Sequence, residues 1–392
     1  MNNDDQSANL RTGTRLAAAG RRPEWTGTPD SPGSVVSPPV WRASTHLYPD
    51  TAALKNGAQV SGENRFYYGR RGAPTQWALA EALTELEPGA AGTLLYPSGV
   101  AAIAGALLAL LKPGDHLLMA DNVYEPSRNL GRGLLANFGV ETEFFDPLDL
   151  DGFVRKIRPE TRAALLEAPG SLTMEVPDIP AFAAAARDKG VISLIDNTWA
   201  SPLGFPALER GCDVAIMSLT KHVGGHSDVM MGSVAAGAAL YPKLRRTYLQ
   251  LGHVVSPDDA ALALRGLRTL QVRLDRSSTS ALHIAQWLAN RPEVAQVLCP
   301  MLPGAPGYET WARTFTGGCG LFSLLFKNCD EAARDRFIDA LRLFGIGYSW
   351  GGFESLIIPL EPASARSATS WPPEHLDPQD RFGVRLSIGL EG

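Results

Sequence analysis

Short apolar runs alternate with segments of helical periodicity through the middle of the chain. Six runs predict strands, at residues 93–96, 115–120, 141–145, 163–168, 191–196 and 214–219. Helices are predicted between them at residues 99–111, 126–137, 149–157 and 179–188. Strands that alternate with helices and are apolar on both faces indicate an α/β fold around a mostly parallel sheet that is covered on both sides.

One further helix is predicted just before these strands. Leu79, Leu83 and Leu86 follow helical spacing, Thr75 is the predicted N-cap, and the pair at 88–89, Pro-Gly, ends the run. The residues before it, 1–60, are rich in Pro, Ser, Gly and Thr and show little apolar periodicity. We therefore expect an extended arm that contacts a neighbouring subunit.

The C-terminal part of the chain predicts a second, smaller unit. Leucines and Trp287 among Arg and Ser residues predict a long connecting helix at about 258–290. Strands are predicted after it at 294–298, 319–326, 355–359 and 384–388, around a helix at 331–343. The predicted domains are thus 1–60, the arm; 61–257, the large domain; and 258–392, the connecting helix with a small α+β domain.

Composition narrows the class of protein. The chain has 392 residues, of which 45% are hydrophobic and 20% charged, and its net charge is −5. This mild acidity argues against nucleic acid as a partner, since such binding requires a dense cationic face. We expect a folded protein that acts on small molecules.

Neither a membrane span nor a secretory signal is predicted. The longest uncharged run, 88–111, is interrupted by Pro-Ser-Gly at 97–99, and reads better as a strand followed by a buried helix. The first residues have no apolar core between charged and small residues, which predicts a cytoplasmic protein. The four cysteines form no CxxC pair and show no metal-ligand spacing, so we expect reduced thiols and no metal.

Candidate chemistry lies at the predicted carboxyl ends of the strands, where ligands bind in open α/β sheets. Ser98 and Gly99 follow the first strand and begin a helix, which suits an anion as well as it suits a simple turn. Asp196 ends another strand, where an acid is about as suited to a loop cap as to a ligand.

A lysine marks the end of the last predicted strand of this series. Lys221 comes just after that strand and before a glycine-rich turn. Most lysines are solvated surface charges, but a desolvated lysine is a neutral amine suited to a Schiff base. A metal site at His222 and His226 is excluded, because the glycine pair at 224–225 breaks the helix that this spacing needs. An acid, an anion site and a lysine on successive strand ends together suit pyridoxal phosphate (PLP).

Several sequence motifs resemble the cystathionine γ-synthase-like group of PLP-dependent enzymes. The motifs are SVVSPPVWRAS at 34–44, YYGRRG at 67–72, SLTKH at 218–222 with GHSD at 225–228, and RLSIGLE at 385–391. This resemblance implies fold type I of the PLP-dependent transferases: a large domain with a mostly parallel seven-stranded sheet and a smaller C-terminal α+β domain. It also implies a homotetramer, a dimer of dimers, with shared active sites.

Roles for individual residues follow from the resemblance. It implies that Lys221 holds the cofactor and moves protons, that Asp196 pairs with the ring nitrogen, and that Tyr124 stacks on the ring. The same resemblance implies that the cofactor phosphate is bound by Gly99, Val100, Ser218 and Thr220, joined by Tyr68 and Arg70 of a neighbouring chain. It implies that the substrate is bound by Arg385, Ser349, Trp350 and Tyr68. Read alone, Arg385 would be a surface charge and Tyr124 and Trp350 packing residues.

Three local motifs resemble the β-eliminating branch of the group: YGRRG at 68–72, YEPS at 124–127 and SWGGFES at 349–355. They imply cleavage of the Cβ–S bond of L-cystathionine to L-homocysteine, pyruvate and ammonia, in methionine biosynthesis. Three readings stay open beside it: a broader cysteine-S-conjugate β-lyase, a γ-lyase or γ-synthase of the same family, and a non-catalytic scaffold homologue.

Overall fold

A seven-stranded sheet forms the centre of the larger part of the protein. The computed structural model describes residues 10–27, 32–59, 64–362, 366–374 and 376–392. Within them the sheet has the order β1-β7-β6-β5-β4-β2-β3, in which only β7 runs antiparallel to its neighbours. The strands are β1 Gly92–Tyr96, β2 His116–Ala120, β3 Glu141–Phe145, β4 Thr161–Glu167, β5 Ile192–Asp196, β6 Val214–Ser218 and β7 Gly232–Ala236. The expected mostly parallel α/β sheet is confirmed.

The larger part of the protein also contains helices, several of which pack against the strands of this sheet. In chain order they are α1 Thr12–Ala18, α2 Pro23–Thr26, α3 Thr51–Gln59, α4 Pro74–Leu86, α5 Gly99–Leu110, α6 Glu125–Leu130, α7 Leu150–Lys156, α8 Ile179–Asp188, α9 Ser201–Gly204 and α10 Tyr241–Leu251. Helix α5 is almost wholly apolar and has many buried positions, consistent with its place between the sheet and α10. The helix predicted at 126–137 is α6 followed by a turn of π-helix, Gly131–Leu135.

The C-terminal part contains a second sheet. Its order is β10-β11-β12-β9-β8, mostly antiparallel. The strands are β8 Val294–Leu298, β9 Leu321–Phe326, β10 Gly345–Ile346, β11 Leu356–Leu360 and β12 Gly383–Ser387, and the helices are α11 Pro257–Leu267, α12 Leu270–Leu288, α13 Tyr308–Thr314 and α14 Glu331–Ala340. The single helix expected at 258–290 is wrong, because the chain breaks at 268–269 between α11 and α12.

The first 60 residues are less extended than the sequence predicts. Within the described part of this segment, α1, α2 and α3 are helical. Leu16 and Trp25 are buried in the main core, since α1 and α2 pack against α4. Contact of this segment with a neighbouring subunit stays a prediction.

Thr75 does not cap helix α4, contrary to the prediction. Ala73 occupies the N-cap position, where its N–H donates to the side chain of Gln76. The Thr75 hydroxyl instead donates to the carbonyl of Pro39 at 3.0 Å and accepts from the N–H of Trp41 at 2.9 Å. Thr75 therefore ties the N-terminal segment to α4.

A buried carboxylate joins the small domain to the end of β2. Asp121 accepts hydrogen bonds from the backbone N–H groups of Ser367, Ala368 and Thr369 at 2.8–3.1 Å, and its Oδ1 lies 2.7 Å from Nη1 of Arg128. Burial alone would raise the pKa of Asp121, but these donors outweigh it and hold the pKa well below its usual range. This contact fixes the chain at 366–369 over the large domain.

Candidate active site

A cavity of ≈ 330 Å³ lies at the carboxyl ends of several strands of the large sheet. Residues of the large domain that line it include Ser98, Gly99, Val100, Tyr124, Glu167, Asp196, Ser218, Thr220 and Lys221. The small domain contributes Tyr348, Ser349, Trp350 and Arg385. The structure thus brings together ten of the twelve residues singled out from the sequence, and leaves out Tyr68 and Arg70.

Lys221 is a buried amine directed at the small domain. Its Nζ donates to Oγ of Ser349 at 2.8 Å and lies 5.5 Å from the centre of the Trp350 ring. Burial and, to a smaller extent, the charge of Arg385 lower the pKa of Lys221 to about 8, although the charge of Asp196 partly opposes them. A substantial fraction of this amine is therefore neutral near physiological pH, as a nucleophile or base requires.

Asp196 is held in one orientation at the end of β5. Its Oδ1 accepts the N–H of Thr198 at 3.0 Å and also the Thr198 hydroxyl. Burial raises the pKa of Asp196, whereas the bonds from Thr198 and the charge of Lys221 lower it. A cationic group in the cavity would stabilise the ionised carboxylate further.

Glu167 is a second buried carboxyl that sequence reasoning missed. It lies opposite Asp196 in the register of β4 and β5. Burial raises the pKa of Glu167 well above its usual range, and the charge of Asp196 adds to this. Its Oε2 accepts the N–H of Tyr124 at 2.8 Å, which fixes the backbone where the Tyr124 ring enters the cavity. Its position as the last residue of β4 was the available signal.

Ser349 connects the lysine to the candidate carboxylate-binding arginine. The Ser349 carbonyl accepts from Nη2 of Arg385 at 3.2 Å, while its hydroxyl binds Lys221. Ser349 has a φ of 81°, a conformation that non-glycine residues rarely adopt and that clusters at functional sites. Arg385 is 8% exposed, and burial lowers its pKa to about 10, so it stays cationic at neutral pH.

The start of helix α5 forms a cradle for an anion. The Ser98 side chain caps the helix by accepting from Ala101, so the N–H groups of Gly99 and Val100 have no partner within the helix. A Cβ at Gly99 would lie 2.8 Å from the Cβ of Ser218, so only glycine allows this close approach. The Ser218 side chain thus lies beside the helix start.

Thr220 and Trp350 line the same cavity, each with a further contact. The Thr220 hydroxyl is engaged with the backbone of Met231, donating at 3.2 Å and accepting at 3.0 Å. The Trp350 ring packs edge-on against the imidazole of His222, with 5.1 Å between ring centres. Burial, together with the nearby charge of Arg273, lowers the pKa of His222 to about 3, so the imidazole is neutral.

Tyr68 and Arg70 do not reach this cavity within their own chain. Arg70 lines a different cavity of ≈ 390 Å³ and donates to the carbonyl of Leu249 at 2.9 Å. The Tyr68 side chain is 45% exposed. Their predicted contribution to a neighbouring chain's site stays a prediction.

The described residues contain neither a membrane-spanning helix nor a metal-binding cluster. No helix among them combines the length and the apolar character needed to cross a membrane. The same part of the chain contains no cluster of three or more His, Cys, Asp or Glu side chains arranged to hold a metal ion.

Comparisons with known proteins show the family of the chain. A family model described as Cys/Met metabolism PLP-dependent enzyme matches residues 25–392. The chain is 41% identical to a cystathionine beta-lyase of Escherichia coli K12, covering 98% of this chain and 95% of that one. It is 42% identical to a cystathionine beta-lyase of Salmonella typhimurium, covering 96% and 94%.

A solved structure extends the likeness to the fold. Cystathionine gamma synthase from Xanthomonas oryzae superposes with a TM-score of 0.86 at 32% identity, covering 98% of this chain and 95% of that one. The family model and both sequence relatives span nearly the whole chain, including both sheets and the cavity between them. The chain therefore belongs to the Cys/Met metabolism family of PLP-dependent enzymes.

Proposed function

We propose that this protein cleaves the Cβ–S bond of L-cystathionine by PLP-dependent β-elimination, giving L-homocysteine, pyruvate and ammonia in methionine biosynthesis. The observation that carries the proposal is that Ser349 binds both side chains: its hydroxyl accepts from Lys221 and its carbonyl accepts from Arg385. An α-amino acid whose carboxylate binds Arg385 has its Cα one bond further on, within reach of the Lys221 amine. The two relatives named cystathionine beta-lyase support this choice of substrate.

The residues of the cavity suit the cofactor of the family. PLP needs a neutral lysine for its carbonyl, an acid for its ring nitrogen and donors for its phosphate. Lys221 and Asp196 would supply the first two, and the start of α5 with Ser218 would supply the third, joined by Thr220 once its hydroxyl turns from the carbonyl of Met231. When bound, PLP supplies electron withdrawal from the substrate Cα.

The chain's own residues then do the work of positioning and proton transfer. Arg385 binds the α-carboxylate in a fork that lysine could not reproduce. Lys221, once free, takes the proton from Cα and delivers a proton to the leaving sulfur, so the Cβ–S electron pair goes to sulfur. With the cofactor bound, Asp196 would keep the proton on its ring nitrogen, and Tyr124 would cover its ring. The remaining three-carbon fragment hydrolyses to pyruvate and ammonia.

Release of thiol from L-cystathionine tests whether the protein is a catalyst at all. The purified protein should show the visible absorbance of lysine-bound cofactor, and free thiol should appear when L-cystathionine is added. A non-catalytic scaffold homologue would release no thiol even when the cofactor is bound. Release from S-alkyl-L-cysteines at the same efficiency would instead favour a broader cysteine-S-conjugate lyase.

The pKa of Lys221 predicts how cofactor capture depends on pH. Since only the neutral amine attacks a carbonyl, the rate should rise about tenfold per pH unit below the pKa and level off above it. With a pKa of about 8, the rise should end near pH 8. Stopped-flow absorbance of apoprotein mixed with PLP measures this rate. A rate that climbs steadily to pH 10 would show that the amine is solvated.

We also propose a cytoplasmic homotetramer, a dimer of dimers, whose sites each borrow Tyr68 and Arg70 from a neighbour. The support is that Arg70 lies outside its own chain's candidate site, while a doubly charged phosphate needs more cationic compensation than a helix start provides. The test uses two variants that are each expected to be inactive, Lys221→Ala and Arg70→Ala. Dissociating them, mixing their subunits and letting the subunits reassociate should therefore restore activity. Each hybrid dimer then has one site with both defects and one with neither.

Random exchange makes half of the dimers hybrids, so activity should recover to about a quarter of the wild-type value. The matched control mixes Lys221→Ala with Asp196→Asn, two changes within one chain's cavity, and should recover nothing. Absence of recovery in the first mixture, with hybrids demonstrated by mass spectrometry, would show that the sites are not shared.

A further inference from the structure

A small side cavity of ≈ 90 Å³ adjoins the candidate active site. The two cavities meet beside the arginine assigned to the α-carboxylate, since they share as walls Tyr124, Ser171, Leu172, Tyr348 and Arg385. The side cavity is also lined by Arg366, which the proposed mechanism does not use. A substrate held by Arg385 therefore has room to extend toward Arg366.

Arg366 is a buried cation with spare hydrogen-bonding capacity. Its side chain is 5% exposed, and its Nη2 binds Oε1 of Glu175 at 2.6 Å and the hydroxyl of Thr173. Its Nη1 is buried, and none of the described residues accepts a hydrogen bond from it. A buried guanidinium donor normally has an acceptor, so this one is suited to a ligand.

The surroundings hold Arg366 in place without supplying that acceptor. The neighbouring residues Ser367 and Thr369 are fixed by Asp121, whose carboxylate oxygens are fully engaged by them and by Arg128. The charge of Arg366 also acts on Glu167 in the main cavity, where it lowers the pKa of that carboxyl. Since the two cavities share walls, the Arg366 charge lies beside the main cavity.

The proposed substrate has the matching chemistry at that end. L-Cystathionine carries a second aminocarboxylate group beyond its sulfur. Glu125, an exposed carboxylate on the wall of the side cavity, adds a negative charge beside the cation. We propose that the side cavity is the subsite for the distal aminocarboxylate, with Arg366 binding its carboxylate; this rests on the function proposed above.

Two substrates that differ only in the distal end test the proposal. For Arg366→Met, kcat/KM with L-cystathionine should fall by about 10- to 100-fold, the effect of losing hydrogen bonds to a charged group. With S-propyl-L-cysteine, which has no distal charge, kcat/KM should change by less than about twofold, since no contact to Arg366 is lost. Equal falls with both substrates, or no fall with either, would overturn the proposal.

Glu175→Gln is the matched control. It removes the negative charge that pairs with Arg366 but leaves the guanidinium, so discrimination between the two substrates should persist. Arg366→Lys, which keeps the charge and loses the planar fork, should recover part of the preference for L-cystathionine. Loss of discrimination in Glu175→Gln to the same extent as in Arg366→Met would mean that packing rather than the guanidinium carries the effect.

Binding without turnover separates this proposal from the proposed function. In a Lys221→Ala background, adding Arg366→Met should weaken binding of L-cystathionine at least tenfold by calorimetry, while binding of S-propyl-L-cysteine stays the same. If the wild-type protein fails to cleave L-cystathionine, the proposed function falls and this binding comparison still decides the subsite. Equal affinity for L-cystathionine with and without Arg366 would refute it.

Discussion

Lys221→Ala is expected to lower the turnover rate by a factor of about 10² to 10⁴ or more, because this amine is assigned both proton transfers. The variant should also lose the visible absorbance that lysine-bound cofactor produces. Both effects follow from its position: Lys221 is a buried amine with a lowered pKa, 2.8 Å from Ser349 on the wall that carries Arg385.

An exposed lysine provides the matched control. Lys189, at the end of helix α8, lies away from the cavity, so Lys189→Ala should keep both the absorbance and the rate. Borohydride reduction of the wild-type protein followed by peptide mass analysis should place the modified lysine at 221. Near-normal turnover in Lys221→Ala would refute the assignment of this residue.

Asp196→Asn is expected to lower kcat by about 10² to 10³-fold, the scale of losing one preorganised electrostatic contact in a buried site. The amide keeps the shape and the bond from Thr198 but removes the charge that keeps the ring nitrogen protonated. Because the loss concerns the chemical step, kcat should fall more than the affinity for substrate. Steady-state kinetics with L-cystathionine measures both.

Glu167→Gln serves as the comparison, since Glu167 is the neighbouring buried carboxyl on β4. Burial raises the pKa of Glu167 well above its usual range, which favours the uncharged form that glutamine resembles. We expect a much smaller effect on kcat than for Asp196→Asn. Comparable losses in the two variants would show that the charge of Asp196 is not the property that matters.

The chemistry at the strand ends was accessible from sequence because parallel strands bring their carboxyl ends to one edge. Lys221 and Asp196 each follow an apolar run, and the structure places both in one cavity. Glu167 was not predicted as a site residue, because the predicted strand extended to residue 168 and so placed this carboxyl inside the strand. A boundary error of one residue thus hid a site residue.

Contacts between distant segments could not be predicted from periodicity. The bond from Lys221 to Ser349 joins residues 128 apart, and the strained backbone of Ser349 has no sequence signal. Arg366 lies in an irregular segment between β11 and β12, and only its folded contacts with Thr173 and Glu175 reveal a buried cation. Strand β7 was not read from the pattern, since its small residues resemble a loop; only the family resemblance implied a seventh strand.

The identity of the keto acid formed from L-cystathionine decides between β- and γ-elimination. β-Elimination breaks the bond between Cβ and sulfur, so we expect pyruvate and L-homocysteine in equal amounts, each produced at the rate of ammonia release. Chromatography of the derivatised keto acids after incubation with purified protein distinguishes the products. Formation of 2-oxobutyrate with L-cysteine would instead show γ-elimination and would refute the proposed β-lyase function.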